Sequence, residues 1–391
     1  NIKFFYENKK KCEVSIKIVG NYLSDDDKKK FYDIFGNPSS VHNFGIRAKK
    51  ILNSAREMVS NVLKCAPEEI IFTSGGSESD NMALFGIMYS RDKKYEGKNE
   101  LIVSKIEHPA ILNAAKELQE RGFIVKYIDV DEDGVVKLEQ LKNAITPQTR
   151  LISIMSVNNE TGIIQPINEI SKLAKTNNVV FHTDGVQSVG VNPINVKKCD
   201  LLSLSGHKFG AFKGTGILYK KKNIPISPLI YGGGQENSYR SGTENVFGNL
   251  MLALCLNDFV EEWEEKGNNI KVLRDKITDS LKKEFGDLVR FNGNIKKKVC
   301  NNINVSFKYL DAQTIQLFLI DNGIDVSIGS ACHASQSEPS YVLQAMNVPE
   351  DFINGTLRIT LGYNTDWASV QKLLNCLIAN VSYLYKLKGG N

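Results

Sequence analysis

The chain has 391 residues, 42% of them hydrophobic and 24% charged, with a formal net charge of +5. That is the make-up of a globular protein long enough for one large domain and one smaller one, each with its own core. No apolar run reaches the ~20 residues needed to cross a bilayer, nothing resembles a signal peptide, and an intracellular home is expected.

The positive charge comes mainly from lysine clusters at Lys9–Lys11, Lys28–Lys30, Lys220–Lys222 and Lys296–Lys298, without interleaved aromatic residues. They read as solvated surface, not as a nucleic-acid stripe. The seven cysteines, at 12, 65, 199, 255, 300, 332 and 376, are widely spaced, and no pair has the spacing of a zinc or redox motif. Free thiols in a reducing compartment follow, with no metal site. Cys65, Cys199, Cys255 and Cys376 have the neighbours of small core hydrophobes; Cys332 does not.

In chain order, Ile70 to Thr73 reads as a strand followed by a glycine turn and a helix from Glu78. Strands at 101–103 and 124–128 flank a helical segment at 109–121. A strand at 151–157, a helix at 167–177 and strands at 179–183, 201–204 and 216–219 continue the alternation. Such alternation predicts an α/β fold: a mostly parallel sheet between helices, with ligands at the carboxyl ends of the strands. From Leu250 to about Glu284 the chain is amphipathic and helical. Strands at 289–292 and 302–307, a helix at 311–322, a strand at 324–328 and a last helix from 366 follow, an α+β pattern. The expected division is an amino-terminal segment at 1–20 that packs on the small domain, a large domain at 21–255 and a small domain at 256–391.

Candidate chemistry sits at the strand ends. Asp184 lies in His182-Thr183-Asp184-Gly185-Val186-Gln187, and Lys208 in Ser205-Gly206-His207-Lys208. A lysine that joins a carbonyl cofactor must lose its proton, which burial and cationic neighbours favour, and Ser205 and Gly206 leave room for a flat ring. An aspartate at the far side of such a ring keeps a pyridine nitrogen protonated, the arrangement of a pyridoxal phosphate site. Alone, Lys208 reads equally well as a surface lysine after a buried strand. Thr73-Ser74-Gly75-Gly76-Ser77-Glu78-Ser79 joins a strand to a helix and suits a phosphate at the helix N-terminus; a serine helix cap is the alternative. His108, in Ile106-Glu107-His108-Pro109, is a ring-stacking or proton-moving imidazole or else a helix cap. Asn159, in Asn158-Asn159-Glu160-Thr161-Gly162, is a ring-oxygen ligand or a turn residue.

These residues resemble the pyridoxal phosphate-dependent cysteine desulfurases of the group that supplies sulfur for iron–sulfur clusters and thiolated tRNA. The matching stretches are Gly36-Asn37-Pro38-Ser39-Ser40-Val41-His42, Phe72 to Asn81, Asn158 to Gly162, Ser205 to Lys208, Arg240-Ser241-Gly242-Thr243-Glu244-Asn245 and Gly329-Ser330-Ala331-Cys332. The resemblance implies the type I fold of pyridoxal phosphate-dependent transferases, class-V aminotransferase branch. It implies that Lys208 tethers the cofactor, Asp184 pairs with its ring nitrogen, Asn159 and Gln187 bind the ring oxygen, and His108 stacks on the ring. Gly76, Ser77, Ser205 and His207 would hold the phosphate, joined by Thr243 of the partner subunit, so a homodimer is implied. Arg358 would clamp the substrate carboxylate, a guanidinium task; a charged residue on an edge strand is the alternative.

Cys332 lies in a segment rich in glycine and serine, 327–340, which reads as an exposed loop. A thiol there suits attack on substrate sulfur and delivery of a persulfide to an acceptor protein, with L-cysteine converted to L-alanine and His108 serving the leaving group. A selenocysteine lyase or sulfinate desulfinase is the near alternative. A cofactor-binding sulfur-relay or partner-binding protein is the distant one. Departures from the family pattern are residues 1–24, Phe212 and Asn237 in place of the usual proline and arginine, and His333 beside Cys332, whose imidazole is expected to lower the thiol's pKa.

Overall fold

A computed structural model describes residues 36–192, 195–329 and 339–389. Seven strands form the larger sheet: β1 (Ile70–Thr73), β2 (Glu100–Ser104), β3 (Ile124–Ile128), β4 (Thr149–Ser153), β5 (Val180–Asp184), β6 (Leu201–Ser205) and β7 (Gly216–Lys220). Their order is β1-β7-β6-β5-β4-β2-β3. The run from β3 to β6 is parallel, whereas β7 is antiparallel to both β6 and β1.

Successive side chains of a strand face opposite sides, and here both sides are dry. Ile70, Phe72, Ile102 and Ile152 enter one core, while Ile71, Leu101, Val103 and Leu151 enter the other. Helix α1 (Asn43–Leu63) packs in the first core through Ala48, Leu52, Ala55 and Val59. Helices α2 (Gly76–Met88) and α3 (Pro109–Glu120) pack in the second. Helices α4 (Leu138–Ala144) and α5 (Ile167–Thr176) return to the first.

Helix α6 (Val246–Phe285) is 40 residues long and serves two cores. Leu252 and Leu256 belong to that of the large sheet, whereas Trp263, Ile270, Ile277 and Leu281 belong to that of a second sheet. The expected division at 255 therefore falls inside a continuous helix. The second sheet is antiparallel: β8 (Val289–Phe291), β9 (Asn302–Phe307), β10 (Ser327–Ile328) and β11 (Thr356–Thr360), in the order β10-β11-β9-β8. Helices α7 (Ala312–Asp321) and α10 (Trp367–Gly389) cover it. Between them, α8 (Tyr341–Ala345) and α9 (Glu350–Ile353) send Val342, Leu343, Met346 and Ile353 back into the core of the large sheet.

Three expectations need correction. Lys220 and Lys298 are not solvated surface: they are 2% and 9% exposed. Lys220 Nζ donates to the Ile224 carbonyl at 3.2 Å beneath the Tyr239 ring, and Lys298 Nζ donates to the Asn292 carbonyl at 2.9 Å. The expected strand at 151–157 ends at Ser153, because the Glu107 carboxylate captures the Met155 N–H through both oxygens at 3.0 Å. The expected strand at 324–328 shrinks to Ser327–Ile328. The lysine clusters at 9–11 and 28–30, the segment 1–20, Cys12, Cys332 and His333 lie outside the described residues.

Candidate active site

A cavity of about 340 Å³ opens at the carboxyl ends of the large sheet, within the range of small-molecule sites. It is lined by Gly76, Ser77, Asp80, His108, Met155, Asn159, Asp184, Val186, Gln187, Ser205, His207, Lys208 and Arg358. Among the described residues, every candidate site residue except Thr243 is in that lining. Thr243 is exposed, in the turn before α6.

The phosphate-type end is built by β1 and α2. The helix starts at Gly76, two residues earlier than expected, and its cap is Gly75, at φ 155 and ψ -179, a region essentially reserved for glycine. The serine-cap alternative fails because Ser74 turns its hydroxyl and N–H to the Glu78 carboxylate, which Arg240 also grips, Nε donating at 2.8 Å. The amino end of α2, with Gly76 and Ser77 in the wall, is thus left open to an anion. A Cβ on Gly76 would lie 2.8 Å from Val186 Cγ2, so only glycine fits against that wall. On the facing side, Ser205 Oγ pairs with His207 Nδ1 at 2.8 Å.

At the other end, Asp184 is the last residue of β5, 5% exposed, and its Oδ1 accepts the Val186 N–H at 2.8 Å. Burial raises its pKa; the Val186 N–H and the charge of Lys208 oppose that rise. Lys208 follows β6 in the short turn Gly206–Phe209, closed by Gly210 at φ 85. The burial expected around Lys208 is absent: the residue is exposed, although it lines the cavity.

His108 caps α3 and lines the cavity at once. Its Nδ1 accepts the Ala110 N–H at 3.2 Å, which leaves Nε2 as the nitrogen able to carry a proton. In the turn after β4, Asn158 is the organiser: its Oδ1 accepts the N–H groups of Glu160 and Thr161 at 3.0 and 2.9 Å. Asn159 is thereby spared for the cavity, and its buried Oδ1 has no hydrogen-bond partner. Arg358 arrives from the second sheet. It lies on β11, between β9 and β10, so the edge-strand alternative is excluded, and its Nη1 donates to the Asn159 carbonyl at 2.7 Å.

An acid for a ring nitrogen, an amine, an anion-ready helix end and an unpartnered amide oxygen fit pyridoxal phosphate. Sequence patterning does not single out Asp80, Val186 or Met155. The one sequence feature that could have flagged Asp80 is its place one helical turn beyond Gly76, on the same face of α2.

The aminotransferase class-V family model matches residues 23–373. The cysteine desulfurase IscS of Dictyoglomus turgidum is 44% identical over 345 residues, covering 88% of this chain and 86% of that protein. The chain belongs to the cysteine desulfurase family. The IscS cysteine desulfurase of Methanosarcina thermophila is 45% identical over 343 residues, 87% of this chain and 83% of its own. A solved NifS-like protein superposes with a TM-score of 0.84 at 36% identity, covering 92% of this chain and 96% of that one. The fold is the expected α/β, type I transferase fold, and the chain is a pyridoxal phosphate-dependent enzyme.

Proposed function

We propose that this enzyme takes sulfur from L-cysteine, releases L-alanine, and holds the sulfur as a persulfide on Cys332 before passing it to an acceptor protein. The observation that carries the reading is the convergence of Asp184, Lys208 and Arg358 on one cavity, in a chain whose relatives are cysteine desulfurases. Those relatives favour the desulfurase over the lyase, desulfinase and non-enzymatic alternatives.

Pyridoxal phosphate, when bound, supplies an electron sink for charge on the substrate α-carbon. Asp184 would hold the proton at the ring nitrogen, Asn159 and Gln187 would bind the ring oxygen, and the His108 imidazole would cover the ring. The amino end of α2 at Gly76 and Ser77, with Ser205 and His207, binds the phosphate, joined by Thr243 of the partner subunit in a homodimer. Lys208 Nζ would tether the cofactor and would serve as the base for the substrate α-proton. Arg358 clamps the substrate carboxylate through its planar fork. The thiolate of Cys332 attacks the substrate sulfur: an S–S bond forms, the C–S bond breaks, and its electron pair, protonated with help from His108 Nε2, ends on alanine. The acceptor is an iron–sulfur scaffold or a tRNA-thiolation protein. A cytoplasmic setting is supported by the free thiols at Cys65, Cys199, Cys255, Cys300 and Cys376. Among the described residues no helix is long and apolar enough to cross a membrane.

Replacing Lys208 with Ala is expected to abolish alanine release, and Cys332→Ser to abolish sulfur transfer. Full sulfur delivery by Cys332→Ser would overturn the persulfide step.

A further inference from the structure

Asp80 shares the cavity wall with Asp184 and has no part in the roles above. It is 1% exposed, and its Oδ1 has no hydrogen-bond partner. The ionisable groups around it are Asp184 and His182 from β5, Glu107 from the segment after β2, and Lys208 beyond Asp184. His182 is not a counter-ion. Its Nε2 lies 3.7 Å from Asp80 Oδ1, beyond hydrogen-bond reach, and is engaged by Ser203 Oγ at 3.0 Å, while Ser153 Oγ holds its Nδ1 at 2.8 Å. Complete burial pulls its pKa down to about 3, so the imidazole is neutral.

We propose that Asp80 and Asp184 form a buried acid pair carrying one negative charge, in which Asp80 keeps the proton and leaves Asp184 as the anion that faces the ring nitrogen.

Two carboxylates in one dry pocket do not both ionise, and the proton goes to the one with poorer support for its charge. Asp184 has the Val186 N–H and the charge of Lys208. Asp80 has the Ser203 hydroxyl, against burial first and then the charge of Asp184, and the balance raises its pKa well above the ordinary range; the neighbouring Glu107, pushed up to about 8 by burial, carries its own proton at neutral pH. Asp80 is thus a positioning residue that acts through Asp184. A second anion there would repel the negative charge that the ring must accept during turnover; a neutral acid does not.

The proposal rests on Asp184 being the partner of the ring, so its first test uses apoprotein. In infrared spectra at neutral pH, Asp80→Asn is expected to remove one protonated-carboxyl C=O band of wild type and to leave the band of Glu107, which burial pushes up to about 8 and which Glu107→Gln identifies. Asp184→Asn, with Asp80 intact, is expected to lower the midpoint at which the Asp80 band titrates by about one pH unit or more. No lost carboxyl band in Asp80→Asn, or an unmoved midpoint in Asp184→Asn, would overturn the pair. In loaded enzyme, Asp184→Asn is expected to shift the cofactor absorbance at neutral pH and Asp80→Asn to leave it in place, since an amide imitates a neutral acid. Equal shifts would place charge on Asp80 and overturn the assignment. No shift in either, with the apoprotein result intact, would overturn the pairing of Asp184 with the ring instead.

Discussion

Arg358 Nη1 donates to the backbone carbonyl of Asn159 at 2.7 Å, so a strand of the small sheet and the turn after β4 of the large sheet are fastened to each other at the cavity wall. Arg358 is held sideways by its strand neighbours Asn304 and Ser327 and lengthwise by this bond. Arg358 and Asn159, the proposed carboxylate clamp and ring-oxygen ligand, therefore share one anchor.

Arg358→Lys keeps the charge but loses the fork and the shared anchor. Loss of a charge-assisted contact worth about 1.5–3 kcal/mol corresponds to a KM for L-cysteine raised roughly 10- to 150-fold. Steady-state alanine production measures it, and an unchanged KM would remove Arg358 from the substrate site.

At the opposite end of the cavity, Gly76→Ala sets a methyl 2.8 Å from Val186 Cγ2, a branched side chain with little freedom to turn. Purified Gly76→Ala is expected to retain less cofactor than wild type. Gly76→Ala with Val186→Ala is expected to recover it, as measured by the ratio of cofactor absorbance to protein. Failure of the second change to restore binding would show that the clash is not the cause.

Most of the large sheet was legible because buried strands such as Ile70–Thr73 and Glu100–Ser104 carry short apolar runs bounded by turn residues. Their carboxyl ends located Asp184, Lys208 and His108. What was not legible depends on partners distant in sequence. The apolar run through Ile154 and Met155 looks like more strand, and Ile154 and Ser156 do keep bonding to β5, but Glu107 takes the Met155 N–H that a longer strand would turn toward β2. Helix α1 was not read from the sequence, although Ile51, Leu52, Ala55, Met58, Val59 and Val62 recur at helical spacing on its core side. Lys220 and Lys298 look like surface, and only the fold shows the carbonyls that satisfy their ammonium groups. Asp80 sat in plain view in the Ser79-Asp80-Asn81 stretch, yet its meaning comes from β5 and β6, which close over it.

The neutral His182 makes the fold acid-sensitive. An unfolded histidine titrates near 6.5, whereas burial holds this one at about 3. Between those values the unfolded chain binds the extra proton, so stability falls as pH is lowered through this window. At about pH 5 the loss from this one group is on the order of 2 kcal/mol relative to neutral pH. Urea unfolding of apoprotein at about pH 7 and about pH 5 checks it: the stability deficit of His182→Gln is expected to shrink by about that amount on acidification. A deficit independent of pH would mean that His182 is not buried in its neutral form.

The most direct test of the central claim is mass spectrometry of the fully loaded enzyme after a single turnover with L-cysteine, with alanine quantified in the same sample. The account predicts one added sulfur on Cys332 for each alanine released, and neither product from Lys208→Ala. Alanine formed without sulfur on Cys332, or formed by Lys208→Ala, would contradict it.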